Sequence, residues 1–195
     1  MIELIERIAK VHGLNPVLVS AIIDVESAGN VYSCRFEPGY PFLYEPQEMG
    51  ELSKTTFATE CVLQRCSFGL MQVMGSTARE LGLRAPLPTL FEPEVGIEYG
   101  CRYLRKQMTR YGDRMQAAIA AYNAGAAIER GDGQYRNGEY VSKVLFKMRS
   151  LNAAVRAHDT DAKPSVDLTD DSDSRAAFRS PGLAPVGAQG RDTGS

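Results

Sequence analysis

The chain has 195 residues, of which 44% are apolar, and a formal net charge of −2. This is enough for one domain with its own core, and nothing in the near-neutral balance suggests a nucleic-acid binder or a polybasic membrane protein. No stretch approaches the roughly 18 consecutive apolar residues that span a bilayer.

The first residues, MIELIERIAK, are acidic and amphipathic. They lack the basic region, apolar run and small-residue cleavage site of a secretory signal. The chain is therefore expected to be made in the cytoplasm and carried by something else to any substrate outside. Ile2, Ile5, Ile8 and Ala9 recur at helical spacing over 2–12, and Gly13 ends the run. Asn15 is placed to cap a second helix, with Pro16 in its first turn and Gly29 as its stop. Residues 31–66 contain Gly39, Pro41 and Pro46 with poor periodicity, and read as a long loop holding at most a short hairpin or helix.

A helical stretch is predicted from Gly69 to Gly82 and a long helix from Pro93 to about Tyr111. Asp113 caps the next helix, which Gly125 stops, and a last helix covers about 139–151. About six or seven helices with short connections and little strand make a mainly α fold. Near Asn152 the composition turns acidic and rich in Gly, Pro and Ser. The expected organisation is a single helical globular domain over 1–152, with 31–66 as an insertion. A disordered or weakly structured tail covers 153–195, as a solvated terminus or an attachment segment.

Cys34, Cys61, Cys66 and Cys101 match no common zinc spacing, and His12 and His158 lie far apart. No metal or organic cofactor is expected. The cysteines read as buried or free thiols, while a disulfide within the Cys34–Cys66 stretch stays open for a protein working in an oxidising space.

On the second helix Leu18, Ile22 and Glu26 are spaced i, i+4, i+8 and line one side. Glu26 sits at the edge of the apolar stripe, near the helix C-terminus. Partial loss of water and the negative end of the helix dipole both favour its neutral form and should raise its pKa. A carboxylic acid still protonated near neutral pH is what a glycosidase general acid requires. The plain alternative is a surface glutamate that grazes the stripe. Asp24 points roughly 160° away around the helix and is no close partner. Glu37, Glu45, Glu48, Glu51 and Glu60 in the insertion stay open as a second group.

Two further segments stand out. In Ser67-Phe68-Gly69-Leu70-Met71-Gln72-Val73-Met74, polar Gln72 falls in a predicted helix otherwise facing a core. It reads as a buried stabilising amide or a site residue. In Ala121-Tyr122-Asn123-Ala124-Gly125, Asn and Gly are ordinary helix stops, and Tyr122 alone would be a core aromatic.

Taken in order, Glu26-Ser27, Gly69-Leu70-Met71-Gln72, Ala121-Tyr122-Asn123-Ala124-Gly125 and Tyr140-Val141 resemble the motifs of the soluble lytic transglycosylase catalytic domain, a lysozyme-like family of the α+β superfamily. Pro93–Leu104 resembles that family's long central helix. The resemblance covers most of 1–150 and none of the tail. It departs from the usual pattern in the long gap between Glu26 and Gln72. There Arg35-Phe36-Glu37-Pro38 resembles the version found in bacteriophage and prophage members.

The resemblance implies that Glu26 is the single catalytic carboxylate and that Ser27 fixes local structure beside it. It implies that Gln72 and Met74 line a groove, that Tyr122 and Asn123 contact substrate, and that Tyr140 hydrogen-bonds and orients the catalytic acid. The implied partner is the glycan strand of peptidoglycan, cut with formation of 1,6-anhydromuramic acid. A monomer is expected, acting in the bacterial envelope after holin-type release or as a virion component. A hydrolytic muramidase on the same fold is the nearest competing reading. A non-enzymatic wall-binding or virion protein and a general helical interaction module are more distant ones.

Overall fold

The computed structural model describes residues 1–112 and 114–161. The proposed cap Asp113 and the tail from 162 onward lie outside the described residues. Helix α1 (Ile2–Val11) buries Ile5, Ile8 and Ala9 of the predicted stripe and leaves Ile2 exposed at its first turn. Helix α2 (Pro16–Ser27) opens where expected: the Asn15 side chain accepts the Val17 N–H at 2.8 Å, and Pro16 occupies the first turn. It ends at Ser27, two residues before Gly29, because Ala28 already turns left-handed at φ 51°, with its N–H on the Asp24 carbonyl. Leu18, Val19, Ala21, Ile22 and Ile23 of α2 are buried at the centre of the core.

Residues 31–66, expected as a long loop, form strand β1 (Cys34–Phe36) and helices α3 (Pro46–Leu52) and α4 (Phe57–Gln64). Hydrophobic periodicity could not show these helices. The buried residues of α4 are Glu60 and Gln64, and α3 buries only Met49 and Gly50. Glu60 and Arg79 are both wholly buried and joined at 2.7 and 3.0 Å. A polar core leaves no apolar stripe to read.

The predicted helix from Gly69 to Gly82 is mostly something else. Strand β2 (Cys66–Phe68) turns through 69–72 into β3 (Val73–Met74), and only α5 (Gly75–Glu80) is helical. Gly69 and Gln72 stand at φ 68° and 47°, in the left-handed region, which breaks any continuous right-handed helix. The strands pair antiparallel in the order β1-β2-β3, with Arg35 opposite Ser67 and Ser67 opposite Met74.

A 3-10 turn (Leu87–Phe91) leads into helix α6 (Pro93–Arg110), then α7 (Met115–Ala124) and α8 (Gly138–Asp161). Five alanine or isoleucine side chains of α7, Ala117 to Ala121, are fully buried, so its neighbours pack close to its backbone. Gly100 of α6 receives Met71: a Cβ there would lie 2.7 Å from the Met71 Cβ. Helix α8 lies against α2 and continues beyond the predicted end near 151. Leu151, Ala154 and Val155 of the segment around and past that end face α1 and α2 across an apolar groove, and no Gly or Pro interrupts 152–161. The described residues thus hold eight α-helices and three short strands, more helices than the periodicity predicted.

Candidate active site

Glu26, the penultimate residue of α2, is half-buried, and its Oε1 accepts the Tyr140 hydroxyl at 2.6 Å. Burial is the largest influence on it and raises its pKa above the ordinary carboxylate value; the Tyr140 hydrogen bond and the charge of Arg35 pull it partly back. The acid is therefore biased toward its neutral form, as its position on α2 suggests. Burial pushes the Tyr140 phenol far upward, with the Glu26 charge adding to it, so this hydroxyl stays a donor.

Ser27 points away from the cleft. Its hydroxyl donates to the Ile23 carbonyl at 3.1 Å and to the Leu70 carbonyl at 2.8 Å, tying the end of α2 to the 69–72 turn. Gln72, expected on a helix, sits in that turn. Its Nε2 donates to the Ser33 and Gly69 carbonyls, both at 2.9 Å, and its Oε1 accepts the Ser67 hydroxyl at 2.9 Å. These three bonds hold a non-glycine residue in a conformation that costs roughly 1–2 kcal/mol in isolation. Tyr122 is buried and donates its hydroxyl to the Met71 carbonyl at 2.8 Å. The same turn is thus gripped from α2 and from α7.

A cleft of about 280 Å³ runs between these parts. Glu26, Gln72, Met74, Tyr122 and Asn123 line it together; Ser27 and Tyr140 stand behind it. Exposed Asn123 accepts the Asn137 amide at 3.0 Å, at the C-terminus of α7. Among the described lining residues Glu26 is the one carboxylate. Of the insertion's acids, Glu60 is sequestered with Arg79, and Glu37 pairs with Arg35 at 2.6 Å outside the lining.

Arg35, Tyr40, Phe42, Thr77 and Tyr103 also line the cleft, and sequence reasoning assigned none of them. For Arg35 a signal existed: its alternation with Cys34 and Phe36 places it on the opposite face of β1 from theirs. The thiols of all four cysteines are free, and burial pushes Cys66 to about 11 and Cys101 to about 12. Among the described residues no three His, Cys, Asp or Glu side chains converge to hold a metal ion. Nor is any single helix there long and apolar enough to cross a membrane.

The arrangement can be compared with known proteins. A transglycosylase from Enterobacteria phage PRD1 is 26% identical over 140 residues, which is 72% of this chain and 40% of the phage protein. A crystal structure of an inactive mutant of lytic transglycosylase Slt from Pseudomonas aeruginosa matches with TM-score 0.54 and 22% identity, over 78% of this chain and 24% of that one. The chain thus spans less than half the length of either relative, and the second likeness shows a shared fold. The model of the transglycosylase SLT domain matches residues 3–143, which takes in α1, the cleft and the start of α8. With its half-buried Glu26 held by Tyr140 above the 69–72 turn, this chain belongs to the transglycosylase SLT domain family.

Proposed function

We propose that the protein is a peptidoglycan lytic transglycosylase that cuts the β-1,4 bond between N-acetylmuramic acid and N-acetylglucosamine. The observation that carries this reading is the isolated acid: Glu26 is the one carboxylate among the described cleft residues, and burial biases it to the protonated form. The Tyr140 hydroxyl donates to Oε1, which leaves Oε2 to carry the acidic proton toward the cleft.

Glu26 gives that proton to the glycosidic oxygen as the C1–O bond breaks. The 2-acetamido group of the muramic acid stabilises the positive charge at C1, which removes the need for a second carboxylate. Ionised Glu26 then accepts the proton of the C6 hydroxyl on the same sugar, and the C6 oxygen bonds to C1, closing the 1,6-anhydro ring. The ring closure gains from proximity over attack by outside water. Gln72, Met74, Tyr122 and Asn123 shape the groove that holds the two sugars. The Gln72 amide is spent on the turn, so it acts through backbone and turn shape. The phage relative supports a role in wall degradation during infection or release, with delivery by a holin-type pore or within a virion.

Product mass spectrometry on purified sacculi tests this. Wild type should release anhydro-muropeptides, and Glu26→Gln should release none while still pelleting with the wall. Products heavier by one water, with reducible ends, would establish a hydrolytic muramidase instead. Substantial cleavage by Glu26→Gln would overturn the assignment of the acid.

A further inference from the structure

Arg35, Ser67 and Met74 stand in one row across the three strands. Side chains alternate faces along a strand, so the three share a face, and all three line the cleft. Arg35 holds the outer end of the row, on the edge strand that the insertion supplies. It is the one cation among the described lining residues. Its Nε is turned to Glu37 at 2.6 Å, its side chain is 75% exposed, and its terminal nitrogens take no hydrogen bond among the described residues.

Tyr40 and Phe42 follow on the same segment and line the cleft beside it, edge to face at 5.7 Å. Phe42 leaves 72% of its surface exposed. The segment is anchored. The Glu37 N–H donates to the Arg65 carbonyl at 2.9 Å, and Arg65 Nε donates to the Tyr40 carbonyl at 3.1 Å. Tyr44 and Gln64 exchange two hydrogen bonds at 2.7 and 2.9 Å. Gln64 in turn donates to Glu60 at 3.0 Å, which is locked to Arg79 of α5. The backbone that carries this cation and the two rings is thus held in place in the free protein, which lowers the cost of ordering it on binding.

We propose that Arg35, flanked by Tyr40 and Phe42, is the subsite for the carboxylate-bearing peptide stem on the muramic acid. The guanidinium takes a stem carboxylate through its terminal nitrogens, and the two rings pack against the stem's apolar part. The inference rests on the proposed function above and names the part of the wall polymer it selects. A stem projects from the sugar toward solvent, and Arg35 is the exposed cation of the cleft lining. The insertion thereby makes the enzyme selective for stemmed strands with free carboxylates.

The test compares native sacculi with sacculi whose stem carboxyls are amidated by carbodiimide and ammonia. Wild type should show about a tenfold higher KM on the amidated wall with kcat little changed, the size of one lost charge-assisted pair. Arg35→Gln should show that raised KM on both walls, Arg35→Lys should recover part of the preference, and Arg7→Gln, far from the cleft beside Glu94, should behave as wild type. Pelleting assays in the Glu26→Gln background read the same preference without turnover. Carboxyl-dependent binding without cleavage would fail the proposed reaction and keep the subsite. Equal affinity of wild type for the two walls, or a preference that survives in Arg35→Gln, would overturn the subsite and leave the reaction standing.

Discussion

Two influences of opposite sign meet on Glu26. Burial favours the acid, while the Tyr140 hydroxyl and the Arg35 charge favour the carboxylate. In the proposed mechanism this group gives a proton and then takes one back, which needs neither form too stable. Tyr140 also holds one of the two carboxyl oxygens, Oε1. Tyr140→Phe is therefore expected to lower kcat by roughly 10–100-fold, the effect of one hydrogen bond lost at a partly buried charge. Its pH–rate profile should change in a stated direction. The bond stabilises the ionised form, so losing it raises the Glu26 pKa and moves the alkaline limb to higher pH. A lowered rate with an unmoved limb would separate Tyr140 from the acid.

At the scale of elements, the insertion is a second wall built on polar groups. Glu60 is buried, which alone would raise its pKa, but hydrogen bonds from Arg79 and Gln64 and the Arg79 charge hold it below the ordinary range. A depressed carboxylate contributes its stability above the pKa of the unfolded chain, about 4.3. That contribution is lost as pH falls through the folded value. Removing one partner should cost about 3–5 kcal/mol, because the other charge is left buried and unpaired. Arg79→Leu is expected to lower the urea midpoint accordingly at neutral pH, and Glu60→Leu with Arg79→Leu should recover part of the loss. A single-mutant loss below about 1 kcal/mol would show that the pair is hydrated.

At the scale of the molecule, the cleft belongs to no one segment. Glu26 on α2 and Tyr140 on α8 are 114 residues apart. The 69–72 turn is held by Ser27 from one side and Tyr122 from the other. The fold as a whole carries the cost of burying Glu26. Its folded pKa is raised, so the folded state binds the proton more tightly than the unfolded chain. The stabilising contribution is complete below the unfolded value and disappears as pH rises through the folded one. Glu26→Gln cannot ionise, so it should melt higher than wild type at pH 8, with the gap closing near pH 4. Thermal unfolding at both pH values measures it, and a lower melting point for Glu26→Gln at pH 8 would contradict the burial argument.

Helix existence was legible wherever an apolar stripe met a cap. Asn15-Pro16 opened α2 and Gly125 closed α7, because those signals act within one turn of the chain. The candidate acid and its ordered companions were legible too, through spacing on α2 and the motif resemblance. What sequence could not show was structure stabilised by partners distant along the chain. Gln72 looked helical until Ser33, Gly69 and Ser67 held it left-handed. α4 looked like loop because its core residues are a glutamate and a glutamine, whose burial depends on Arg79 and Tyr44. The sequence by itself determined that Glu26 sits on a half-apolar helix face near a helix end. Only the tertiary structure decided that a tyrosine from α8 meets it and that an arginine from the insertion lines the same cleft, since packing alone brings such distant side chains together.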